Sequence, residues 1–234
     1  MPHHSSASWH AAAAHILEEA YRRTQGGYIA FLDESYELAG PKSFYLMSAV
    51  VAHRDHVAQL RDGVRKIAGG GYWHTTERLL TEDGRKSAIE MADYLGDEDG
   101  SEVCIVSCTA PVGAAGADSA RRACFEQVAE SLCQGVLPLH APVHLMVLEQ
   151  RETQHERSYD SKIIRDLRSS GTVCRVCQLK QASPRDEPLL WLPDLVSSAV
   201  RRSITHREKD LLGPISHIVR ILNSPQIKSN PGAP

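Results

Sequence analysis

No apolar run in the chain approaches the roughly 18 residues that a membrane-crossing helix needs, so no membrane span and no membrane partner is expected. A basic segment followed by an apolar core and a small-residue cleavage site is also missing from the N-terminal stretch, which leads to the expectation of a cytoplasmic protein. Cysteine is sparse: 6 in 234 residues do not suggest a disulfide framework, and Cys104, Cys108, Cys124 and Cys133 fall in apolar segments where a thiol behaves as a small hydrophobe. Charge of one sign is lacking too, since 26 basic and 29 acidic residues leave a formal −3, with 12 histidines able to add positive charge below neutral pH. That balance excludes a surface built to grip nucleic acid everywhere, so a polyanion would have to meet a local patch or bound cations. Gly69-Gly70-Gly71 is not followed by Gly-Lys-Ser/Thr, and a joint after a helix explains it better than a phosphate loop. Cys174 and Cys177 have no second C-x-x-C. On an extended strand their spacing sends the two side chains to opposite faces, so neither a shared metal nor a bridge is expected there.

What is present describes an ordinary globule of α/β size, with 42% hydrophobic and 24% charged residues. The chain is organised around YIAFLDESY, Tyr28 to Tyr36, in which an apolar run leads straight into Asp33 and Glu34. Ile29, Phe31 and Leu32 follow no helical period, so the segment reads as a strand covered on both faces inside a sheet. An acid at the end of such a strand needs a metal, a cation or water nearby. The plainer alternative is that Asp33-Glu34-Ser35 simply opens the turn that Gly40-Pro41 completes.

Around this strand the chain divides into an N-terminal helical extension (1–27), a main domain (28–222) and a proline-rich tail (223–234) expected to be disordered. The extension carries a helix-compatible stretch from Trp9 to Arg23, closed by Gly26 and Gly27. Whether that helix docks on its own domain or on a second copy is open, so self-association is carried forward as an expectation. Phe44 to Ala52 is a second strand, paired with the first in a wide antiparallel hairpin. Helices are expected over Arg54–Ile67, Glu82–Leu95, Asp118–Cys133, Arg157–Leu167 and Pro188–Arg202, and further strands over Val103–Val112, Val143–Glu149 and Thr172–Leu179. In the last helix Pro193 sits early, and Leu195, Val196, Ala199 and Val200 form the buried stripe.

Two apolar strands thus end in acids, Asp33 and Glu149, and a late helix begins with Asp194. Parallel strands share an end, and a helix packed there can add a third oxygen ligand of the kind that hard divalent cations use. Acids at strand ends and helix starts are also common for structural reasons. His74 either attends those acids as a proton carrier or caps the helix that Glu77 enters. Arg201 and Arg202, with His206, Arg207 and Lys209, either line a polyanion groove or form a solvated helix face. Trp73 and Trp191 either stack bases or pack in the core.

The strand end FLDES, the strand FYLMSAVVA, His74-Thr75-Thr76-Glu77, the strand VHLMVLEQ and the late LPDLVSSAVRR resemble, in this order, the landmarks of the domain-of-unknown-function 3800 family. The resemblance spans Tyr28 to Arg202. Tyr36 stands where that family usually has glycine, Glu149 where it has aspartate, and Leu192-Pro193 where it has Leu-Ala. It implies a ribonuclease H-like α/β fold, with a mixed five-stranded sheet flanked by helices. It further implies a metal-dependent nuclease in which Asp33, Glu77, Glu149 and Asp194 hold Mg2+ or Mn2+. Glu34 and His74 would support them, Arg201 and Arg202 would meet a nucleic-acid substrate, and a metal-activated water would cleave the phosphodiester. The alternative is a module of the same architecture that binds or assembles without catalysing.

Overall fold

The computed structural model describes residues 16–24, 26–40, 43–97, 100–112, 116–135 and 141–222. Its centre is β1 (Tyr28–Glu37), whose residues Ile29 to Asp33 are all buried. β2 (Phe44–His53) pairs antiparallel with β1, and β3 (Val103–Thr109) antiparallel with β2. On the other side β4 (Val143–Glu149) runs parallel to β1, and β5 (Gln178–Ala182) parallel to β4. A short β6 (Val219–Ile221), parallel to β3, completes a six-stranded mixed sheet in the order β5-β4-β1-β2-β3-β6.

Alternation along the strands divides the core into two layers. Ile29 and Phe31 of β1, Phe44, Leu46, Val50 and Ala52 of β2, and Leu145 and Val147 of β4 share one layer. Against it pack α2 (Val57–Ile67), α4 (Glu82–Leu95) and α7 (Trp191–Thr205). Ala30 and Leu32, Tyr45 and Met47, and Met146 and Leu148 face the opposite layer, covered by α5 (Gly116–Gln134) and α6 (Gln154–Ser170). Each large side chain so buried contributes roughly 1.5–3 kcal/mol, which is why the central strands read as continuous apolar runs.

Local chemistry sets the helix ends. Thr153 and Glu156 form a reciprocal capping box at the start of α6, Gly171 at φ 84° ends it, and the Thr81 hydroxyl accepts the Gly84 amide at the start of α4. A single turn, α3 (Thr75–Arg78), precedes α4, and a second, α8 (Leu212–Ile215), precedes β6. Residues 16–23 are helical (α1) and dock on their own domain, with Leu17, Ala20 and Tyr21 in the first layer. The Tyr21 hydroxyl donates to the buried Glu187 at 2.6 Å, and Arg61 of α2 clasps the same carboxylate at 2.8 and 3.1 Å. The rest of the Trp9–Arg23 stretch and the tail from Asn223 lie outside the described residues. No described helix is long and apolar enough to cross a membrane.

Three expectations need correction. The sheet has six strands rather than five, because β6 is three partly exposed residues, too short to leave a pattern in sequence. The strand expected over Thr172–Leu179 begins only at Gln178, since the chain first turns through Cys174 to Cys177, whose amide donates to the Cys174 carbonyl at 3.1 Å. β3 stops at Thr109 rather than Val112, ahead of Pro111, which has no amide to give a ladder.

Candidate functional site

The parallel register of β1 and β4 sets Leu32 beside Leu148, so the next residues of the two strands are Asp33 and Glu149. Both continue the series that faces the α7 layer: 29, 31, 33 on β1 and 145, 147, 149 on β4. Their carboxyl groups therefore meet at the same sheet end, where the charge of Glu149 acts on Asp33. α7 crosses the same face and is pinned by Ser48 of β2, the residue opposite Asp33. The Ser48 hydroxyl donates to the Pro193 carbonyl at 2.8 Å and lies 2.9 Å from the Ser197 hydroxyl. That docking delivers Asp194 from the first turn of α7. Its Oδ2 accepts the Thr75 amide at 2.7 Å, which ties α3 to the same spot.

The three acids line one cleft of about 400 Å3, together with Tyr36, Tyr72, His74, Arg151 and Arg201. On α7 the lining residues are Trp191, Asp194, Ser198 and Arg201, one helical face. Burial raises the Asp33 carboxyl well above its ordinary range, and the charges of Glu149 and Asp194 push it further. Glu149 is raised by burial and by Asp194, with Asp33 and His74 opposing. Asp194 is also raised by burial, against the Thr75 amide and the charges of His74 and Arg201. Among the described residues no lysine or arginine forms an ion pair with any of the three. Asp33 is buried and Glu149 and Asp194 are half-buried, and carboxylates crowded together in that condition are costly, so they constitute a site that a cation would relieve. Their oxygens are not all within 4.8 Å of one another, a closeness that among the described residues only a cysteine trio reaches. Two ions about 4 Å apart can share a wider ligand set than one.

The other expected residues separate. His74 is exposed, lines the cleft and makes no side-chain cap to α3, which favours the site reading over the capping one. Glu77 does not join the acids: it is exposed on α3, and Thr76 takes the place on the cleft wall. Within a single helical turn the neighbouring side chains point about 100° apart, so the cleft can take only one of them. Glu34 lines the cleft but is already engaged, ion-paired to the buried Arg121 and 3.6 Å from Arg151. Arg201 reaches the cleft, whereas Arg202 does not and instead binds Glu208 at 2.6 and 2.9 Å. Trp73 and Trp191 are core residues with their indole N–H groups committed to Thr75 and the Pro184 carbonyl. The exposed aromatics at the cleft are Tyr36, stacked on Tyr45, and Tyr72, with the Arg185 guanidinium 4.4 Å over its ring.

Sequence reasoning missed the support behind the acids. Arg121 is fully buried in α5, holds Asp160 through two bonds of 2.7 and 2.8 Å, and donates to the Tyr45 hydroxyl at 3.1 Å. The signal was there: residue 121 falls on the same helical face as Cys124, Phe125 and Val128, all buried. Arg151, two residues past β4, was missed because nothing in a loop sequence fixes where a side chain returns. No family model matches the chain, and no curated protein matches it.

Proposed function

We propose that the chain is a divalent-metal-dependent nuclease or phosphodiesterase of ribonuclease H-like architecture. The observation that carries this reading is the convergence of the buried Asp33 with the half-buried Glu149 and Asp194, none with an ion-pair partner among the described residues, on one cleft where β1 and β4 end. The five strands β5-β4-β1-β2-β3, mixed in direction and covered on both faces, fit the expected architecture, with β6 added at the edge.

Asp33, Glu149 and Asp194 would hold Mg2+ or Mn2+, and their hard oxygens suit those ions. When bound, such ions activate water and stabilise the leaving oxygen of a phosphodiester. His74 would move a proton at the mouth, since it is exposed and lines the same cleft as Glu149 and Asp194. Arg201 would meet a substrate phosphate, and Tyr72 would offer a ring for a base to stack on. Arg121 and Arg151 would hold Glu34 and so keep the end of β1 in place. The non-catalytic alternative draws on Glu77, which stands outside the cleft and leaves the acids one short of the expected four.

The test is cleavage of labelled single-stranded, duplex and hybrid nucleic acids with Mn2+ or Mg2+. Metal-dependent cleavage is expected, stopped by chelator and reduced by at least about 100-fold in Asp33→Asn, beyond the loss usual for a residue one shell further out. Absence of cleavage on all substrates, with metal binding intact, would favour the binding module.

A further inference from the structure

A second cluster lies away from the cleft, in the opposite layer of the core. Cys133, in the last turn of α5, meets Cys174 and Cys177, which lie in the turn between α6 and β5, and the three sulfurs are all within 4.8 Å of one another. The expectation that Cys174 and Cys177 point apart fails here because the strand starts later. Residues 174 to 177 form a turn closed by the Cys177 amide on the Cys174 carbonyl at 3.1 Å, and a turn brings positions i and i+3 to one side. We propose that Cys133, Cys174 and Cys177 form a thiolate site for one Zn2+ ion, with its fourth position open to solvent or to a small ligand.

Five features support it. The C-x-x-C turn with a third cysteine arriving from a separate element is the ligand spacing of tetrahedral zinc sites. With Zn–S bonds of about 2.3 Å the sulfurs would sit about 3.8 Å apart, so side-chain shifts of roughly 1 Å complete the shell. The Cys174 amide donates to the Cys133 sulfur at 3.1 Å, the kind of outer contact that favours an anionic sulfur and orients it as a ligand. Arg168 donates to the Cys177 carbonyl at 3.3 Å, which brings a positive group to a centre that would carry net −1 with three thiolates. Cys177 is buried, whereas Cys133 and Cys174 are half-buried and the turn tip, Val176, is 67% exposed, so an ion has a path in. Bound there, it would staple the end of α5 to the connection that leads into β5. The chain's other cysteines, Cys104, Cys108 and Cys124, form no such trio. This proposal is independent of the reading of the acidic cleft, since soft sulfur and hard oxygen select different ions.

The test is a Co2+ titration of the full chain, reduced and stripped of metal, followed by absorption. One equivalent should produce thiolate-to-cobalt charge transfer together with the strong visible bands of a tetrahedral site, and one equivalent of Zn2+ should abolish both. Carboxylates give no such charge transfer, so Asp33→Asn should leave the signal intact, as should Cys108→Ser. Cys174→Ser, a change in a half-exposed turn, should lose most of it, with folding checked by circular dichroism. The wild-type titration decides even if that variant misfolds. The proposal is overturned if the reduced wild type shows no thiolate charge transfer, or if a folded Cys174→Ser retains all of it. A disulfide among the three in the isolated protein, with no Co2+ uptake after reduction, overturns it as well.

Discussion

Asp33 and Glu34 are adjacent on β1, so the two-residue period of the strand sends one carboxylate toward α7 and the other toward α5. Glu34 meets Arg121, and Asp33 meets two more acids. The first arrangement holds structure and the second is costly to keep. Replacing Asp33 by asparagine removes the charge while the new amide can donate to Glu149. The metal-free variant is therefore expected to gain about 0.5–2 kcal/mol in chemical denaturation, the usual relief when a strained functional group is neutralised. Removing the cation on the other face acts oppositely. Arg121→Leu leaves the buried Asp160 without its partner and Glu34 with Arg151 alone, and should cost about 3–5 kcal/mol by the same assay. At this scale Asp33, Glu149 and Asp194 were legible, because strand ends and parity can be read from an apolar run. Arg151 and the Arg121–Asp160 pair were less so, since a partner distant in sequence leaves no local trace.

Elements hold these residues in place through close backbone approach. α4 packs its first turn on the end of α3, and a Cβ on Gly84 would lie 2.1 Å from the Arg78 carbonyl oxygen. Gly84→Ala therefore should not gain the helix propensity that alanine normally brings. It should destabilise by roughly 1–3 kcal/mol and weaken ligand binding in the cleft, because α3 carries His74 and Thr76 at its edge. Thermal melts together with a binding titration would reveal both effects. The strands and helices themselves were largely visible in sequence, from the apolar run of β1 to the full extent of β4. β5 was misplaced because Val173 and Cys177 are buried in a turn, and burial without strand geometry mimics a strand. β6 has too few residues to show a period.

Taken as a whole, the molecule carries a small net charge but concentrates raised carboxyls at one point. Asp33, Glu149 and Asp194 all hold their protons above the ordinary carboxylate range, chiefly because the fold desolvates them. The folded chain therefore binds more protons than the unfolded one across a window that opens at the ordinary carboxylate pKa and closes at the raised values. Stability of the metal-free protein should fall as pH rises through that window. The lowered carboxyls of Glu156, Asp166 and Glu208 lie at the exposed surface, where solvent screening leaves them little weight. A series of melts against pH should show the decline, smaller in Asp33→Asn and suppressed by Mn2+. The sheet order was beyond the reach of the sequence, since pairing between distant strands is decided by the packed whole.

The most direct test of the acidic cleft is calorimetric titration of Mn2+ into the pure chain, into Asp33→Asn and into Asp194→Asn. Saturable binding in the wild type, lost or weakened at least about tenfold in each variant, is the predicted result. No binding in the wild type, or equal binding in all three proteins, would contradict it.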